Sequence, residues 1–274
     1  THVSGTIAAR NDNGVGVSGI AGGTADAPGV QIMVSRVFSG TSDTPGGFPE
    51  GFVYGADNGA VISNNSWGGG GFSQVLNDAI TYFIDNAGFD ADGNPVGAVQ
   101  GGVVFFAAGN NGSSTPSEPI ASNPDVIAVA STGHNDQKAW YSQYGDWIDI
   151  SAPGGETSSS QAEGVLSTVI GGYAFYPGTS MASPHAAGVA ALIASAYPGL
   201  SNEDLYARME STVDDIEAAN PQYQGQMGAG RINAFRALQD MDSPLISLST
   251  SSVSLSTAPG GSASASFSVS NTGG

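Results

Sequence analysis

The chain has 274 residues, 40% of them hydrophobic, with 24 acidic and 6 basic residues and a formal charge of -18. That is enough apolar material for one enzyme-sized domain or two smaller ones, and the negative surface would repel phosphate backbones and anionic membranes, which excludes nucleic acid as a partner. The absence of cysteine excludes disulfides, thiolate metal sites and cysteine nucleophiles, and no run approaches the roughly 18 apolar residues of a membrane span. So acidic a surface suits secretion into a salty medium and equally suits an ordinary soluble protein.

In chain order, "QIMVSRVF" (31–38), "GAVISNNS" (59–66) and "GGVVFFAAGN" (101–110) read as buried strands, being short, β-branched and apolar. Between the last two, residues 73–87 place Val75, Leu76, Ala79, Ile80, Phe83 and Ile84 at helical spacing behind Ser73, a good N-cap. Strand and helix therefore alternate, which predicts an α/β parallel sheet with its functional loops at the carboxyl ends of the strands. Residues 125–132 and 147–153 read as two further strands, and "EGVLSTV" with "GGYAFYPG" as a hairpin-like excursion. The stretch 180–197 is apolar or small on every side, a helix for the middle of a domain, with Pro184 assigned to its first turn. Amphipathic pieces near 201–212 and 231–240 close this unit. From about residue 243 the composition turns to Ser, Thr, Ala and Gly with period-two alternation, which favours the opening strands of a β-sandwich over a flexible linker. The expected division is 1–242 and 243–274.

The chemistry concentrates in "GTSMASPHAAG", where Ser180 opens the buried helix. A serine there has a free backbone N–H, and the helix dipole favours negative charge beside it, as an oxyanion-forming nucleophile needs. A plain N-capping serine is the ordinary reading of such a residue. It is displaced here because the whole stretch resembles the nucleophile motif of the subtilisin-like serine proteases, the subtilases. The resemblance extends from Thr1 to about Leu238.

It implies a parallel-sheet subtilisin-like three-layer fold and a serine endopeptidase working through an acyl-enzyme on Ser180. "AAGN" resembles the strand end whose asparagine donates to the oxyanion, which makes Asn110 that donor. "NNSWGGG" resembles the substrate-binding strand, so Ser66, Trp67, Gly68 and Gly69 are expected to line the cleft, with Ala107, Ala108 and Gly109 as the opposite wall. "THVSG" resembles the end of the family's H-G-T-H motif, so His2 takes the place of its second, structural histidine. The catalytic histidine and a D-[ST]-G aspartate are then expected upstream of Thr1, and these 274 residues alone are expected to be essentially inactive. His2, His134 and His185 are not expected to act as the base, which needs reach to the serine and an orienting carboxylate.

"ARNDNGVGVSG" resembles the family's calcium loop, with Asp12 as its side-chain ligand; no organic cofactor is expected. "DADGN" (90–94) begins like a calcium loop, but Pro95 and Gly101 stand where such a loop needs Gly and Glu, so a polar turn is favoured. The expected partners are peptide or protein substrates, the expected state a secreted monomer. A catalytically inactive peptide-binding protein of the same fold is the alternative. An α/β-hydrolase esterase is set aside because position 182 is Ala rather than Gly. A sedolisin-type protease, which also has G-T-S, is disfavoured by "SPH" and "THVSG".

Overall fold

The computed structural model describes residues 1–38 and 47–239, together with the backbone of Ile246–Leu248 and Val269–Asn271. Helix α1 is His2–Ala8, and α2, Phe48–Asp57, follows Gly47 with Pro49 in its first turn, where the missing N–H costs nothing. Strand β1 is Ile62–Asn65 and leads to α3, Gln74–Asn86, whose cap Ser73 accepts the Leu76 N–H as its sequence position predicts. Strands β2 (Val99–Gln100), β3 (Val103–Ala107), β4 (Ile127–Thr132) and β5 (Ile150–Pro153) follow. The antiparallel hairpin of β6 (Val165–Val169) and β7 (Gly172–Tyr176) runs into α4, Thr179–Ala196. The two-residue β8 (Leu200–Ser201), α5 (Asn202–Ser211) and the short α6 (Ala234–Ala237) complete the unit.

The main sheet is parallel, in the order β1-β3-β4-β5, with Ile62 opposite Val103, Phe105 opposite Ile127 and Val129 opposite Ile150. Because side chains alternate along a strand, β3 serves two cores at once. Val103 and Phe105 pack with Ile193 and Ala186 of α4 and Leu205 and Met209 of α5. Val104 and Phe106 face the other way, onto Phe52 of α2 and Ile80 and Phe83 of α3. Three layers result, as the alternation of elements predicts. Helix α4 lies deepest, with 13 of its residues buried. Gly188 is required there, since a Cβ at that position would stand 2.6 Å from Ile20 Cβ.

Three departures from the sequence reading have physical causes. Residues 31–37 belong to no strand, and Val34 is 77% exposed. Met33, Ser35 and Val37 instead line a cavity whose other walls are β1 and α2, so no strand among the described residues lies beside them to make a ladder. Pro184 sits beyond the first turn of α4, in the helix interior, and another group replaces its missing hydrogen bond, as described below. Helix α2 was not foreseen, because Gly51 and Gly55 and a short length weaken its pattern.

The chain divides into Thr1–Ala237 and Leu238–Gly274. Within the second unit β9 (Ile246–Leu248) and β10 (Val269–Asn271) pair antiparallel. The remainder of the expected sandwich module, 243–274, lies outside the described residues. Among the described residues no helix is long and apolar enough to cross a membrane.

Candidate active site

The carboxyl ends of β1 and β3 and the amino end of α4 meet at one cleft, lined by Trp67, Gly68, Gly69, Phe106–Asn111, Ser117, Glu118, Ile120, Gln143, Thr179 and Ser180, with a volume of about 260 Å³. Ser180 is the second residue of α4 and half-buried. At that position its N–H has no intrahelical acceptor and the positive end of the helix dipole lies beside it. Its Oγ donates to the Ser66 carbonyl at 3.3 Å.

The backbone of Ser180 is held from β1's end. In a helix the Ser180 carbonyl would accept the N–H of residue 184, but Pro184 has none. The Ser66 hydroxyl donates to that carbonyl instead, at 2.8 Å. Ser66 is in turn held by Asn64 Nδ2 at 3.2 Å, and Asn64 Oδ1 accepts from Ser183 Oγ at 2.8 Å. The strand end and the helix start are therefore one hydrogen-bonded unit.

Asn110 is fixed by its oxygen. Oδ1 accepts both the N–H and the hydroxyl of Thr179, each at 2.9 Å, while the Thr179 hydroxyl also accepts the Gly109 N–H at 3.1 Å. The amide orientation follows, because two donors must face an oxygen. Nδ2 then points away from Thr179 without a partner among the described residues, a side-chain donor on the same cleft as Ser180. Gly109 has φ of +118°, and a Cβ there would collide with the Gln143 side chain, so only glycine fits this wall. Opposite it, Gly69 donates its N–H to the Glu118 carbonyl at 2.9 Å. Gly69 and Gly70 have positive φ with open space where side chains would be, which leaves room for an incoming backbone.

None of the three histidines is hydrogen-bonded to Ser180. His2 is buried, stacks on Tyr176 and places Nε2 3.0 Å from the Val165 carbonyl and 3.1 Å from that of Ala174, both in the hairpin β6–β7. His185 is tied by Nδ1 to the Met181 carbonyl at 2.8 Å, and burial holds its pKa below the usual imidazole value. His134 is exposed, 4.0 Å from Glu163.

Asp12 is exposed in the left-handed conformation, φ 53°, in the loop after α1. Its neighbour Asn11 has a buried Oδ1 without a hydrogen-bond partner, an oxygen the sequence reading missed. Both are oxygen donors of the type a hard cation takes, six to eight at a time, but among the described residues no three His, Cys, Asp or Glu side chains cluster to complete a set. Asp90 is a closed polar turn, accepting from the Asp92 and Asn94 backbones and the Asn94 amide.

The sequence motifs supplied Ser66, Asn110 and Ser180 but not the residues that orient them, Asn64, Thr179 and Ser183. The available signals were "NNS" and "GTS", read for their serines alone. A family model described as "Subtilase family" matches residues 1–230. A thermophilic serine proteinase of Bacillus sp. (strain AK1) is 36% identical over 240 residues, 87% of this chain and 51% of that protein. An extracellular protease of Xanthomonas campestris is 35% identical over 246 residues, again 87% of this chain but 39% of its own length. This chain thus spans about half of the first relative and less of the second. Among solved structures, a protease from Pseudoalteromonas arctica aligns with a TM-score of 0.70 and 32% identity, covering 87% of this chain and 69% of that one.

Proposed function

The chain belongs to the subtilase family, and from that premise we propose that it is the nucleophile-bearing part of a secreted serine endopeptidase acting on extended peptide segments. The observation that carries the reading is the shared cleft: Ser180 at the amino end of α4, with Asn110 beside it, its oxygen engaged by Thr179 and its Nδ2 free. Ser180 Oγ attacks the peptide carbonyl, and the resulting oxyanion accepts from Asn110 Nδ2 and the Ser180 N–H. Collapse expels the amine and leaves an acyl-enzyme, which water then hydrolyses. The general base and its carboxylate come from outside these 274 residues, since His2 and His185 are committed to backbone carbonyls and His134 to the surface. Secretion is supported by the similarity to an extracellular protease.

In the full-length chain an organophosphate should label Ser180, and Ser180→Ala should abolish casein hydrolysis. Asn110→Ala should lower kcat by about a hundredfold or more with little change in KM, a magnitude established on a member of this family. Hydrolysis that survives Ser180→Ala would overturn the proposal. The second reading is peptide binding without catalysis, and an unlabelled full-length chain that still binds extended peptide would establish it. We assign calcium to the 10–17 loop, held in part by Asp12 and Asn11 as a structural cross-link. Calcium should raise Tm, and Asp12→Ala should remove most of that rise.

A further inference from the structure

The cleft beside Ser180 is lined by the apolar side chains of Trp67, Phe106, Ala107, Ala108 and Ile120 and by the polar Ser117 and Glu118, and a further lining group is the carboxamide of Gln143. Gln143 is 1% exposed. Its Nε2 donates to the Thr115 carbonyl at 2.5 Å, which fixes the amide's orientation, since an acceptor must face the nitrogen. Its Oε1 occupies the space of the side chain that Gly109 lacks, 1.5 Å from where a Cβ on Gly109 would stand, and no donor among the described residues reaches it. An acceptor that lines the cleft with no protein donor is open to a substrate donor, which gains there what an apolar group of equal shape cannot.

We propose that Gln143 determines specificity: the residue before the scissile bond is one with an apolar stem and an N–H donor at its tip, lysine foremost, with glutamine and arginine in the same class. The stem lies along the apolar walls and the tip donates to Gln143 Oε1. Lysine leads because the protein's charge of -18 draws cationic side chains to it. This rests on the protease reading above and goes beyond it by naming the substrate class.

The test uses the full-length chain and four peptides identical except before the scissile bond, in two pairs of near-equal shape: lysine against norleucine, and glutamine against methionine. The donor member of each pair should have a kcat/KM about tenfold higher or more. Gln143→Met should erase both differences, largely by speeding the norleucine and methionine peptides. Wild-type enzyme that cleaves norleucine and methionine as well as their partners overturns the inference whether or not the variant folds. A preference in the lysine pair alone also overturns it, because negative charge, of the surface or of Glu118 in the cleft, and not Gln143 would then be the cause. Failure of the parent reading is distinct: no peptide is cut and Ser180 is not labelled.

Discussion

Two stretches of similar composition have opposite fates in this molecule. "VVFFA" in β3 and "QIMVSRVF" at 31–38 are both β-branched, apolar and short. The first lies between β1 and β4 with helices on both faces, and every one of its residues is buried. The second belongs to no strand over residues 31–37, its Met33, Ser35 and Val37 facing a cavity and its Val34 facing solvent. Strand propensity describes what a segment tolerates, and pairing partners decide what it becomes. The same contrast divides the candidate site: the side built on β3 and α4 is hydrogen-bonded together, whereas none of the three histidines is hydrogen-bonded to Ser180.

The largest expected effect tests that functional half of the contrast. Residues 1–274, assayed beside the full-length chain and each with its Ser180→Ala control, should show no more than trace serine-dependent hydrolysis. The loss expected on removing the base is on the order of a millionfold, a magnitude established on a subtilase. Turnover within a hundredfold of the full-length enzyme would mean that His2, His134 or His185 reaches Ser180 after all.

The structural half is tested by paired truncations within residues 1–274. Phe105→Ala should cost about 3–5 kcal/mol, as large core deletions do, and Val34→Ala less than about 0.5 kcal/mol. Denaturant midpoints read both. Equal losses would place 31–38 in the core and break the comparison.

Asp149 is the next step down, a charge drawn into the well-packed side. Its carboxylate sits at the start of β5, accepts the Ala128 N–H at 2.6 Å and has its pKa pushed up to about 6 by burial, with Glu210 adding to the rise. Since the folded value lies above the unfolded 3.8, the native state gains protons on folding. The stabilising contribution is full below pH 3.8 and is lost as pH rises through about 6. Asp149→Asn keeps an acceptor for Ala128 and removes the titration, so the variant should match wild type at low pH and exceed it above pH 6. The ceiling is about 3 kcal/mol, at about 1.4 kcal/mol per unit. Thermal melts across pH 3–8 that stay parallel would show that the carboxylate is not desolvated.

Much of this architecture was legible in the sequence because its signals are local. Ser73 caps a helix of period 3.6, and the small and apolar run after Ser180 has to be buried whichever way it turns. Motif matching likewise reached Ser180 and Asn110, whose neighbours in sequence carry the signature. What was not legible depends on contacts distant along the chain. No pattern tells that Thr179 will hold Asn110, that Gln143 will fill the space beside Gly109, or that 31–37 will join no strand among the described residues. Pro184 shows the limit best. Its cost was assigned away to a first turn, when it is met by a serine 118 positions earlier in the chain.

That substitution of one donor for another gives the smallest effect. If the Ser66 hydroxyl serves to hold the Ser180 carbonyl in place of the N–H that Pro184 lacks, Ser66→Ala in the full-length chain leaves the carbonyl unpaired at the nucleophile itself. A drop of about tenfold in kcat, with KM little changed, is expected for one such hydrogen bond. Pro184→Ala supplies a backbone N–H at the helical i+4 position of Ser180, so the double variant should recover most of the loss. A hydroxyl that instead contacted substrate would raise KM, and no change at residue 184 would repair it, because the restored N–H points along the helix and away from the cleft. Steady-state kinetics on the four chains of this cycle separate the two roles. An unrescued double variant would mean that the strand end and the helix start, though bonded, are not coupled in catalysis, and that the hydrogen-bonded side of the site is held by Thr179 and Asn110 alone.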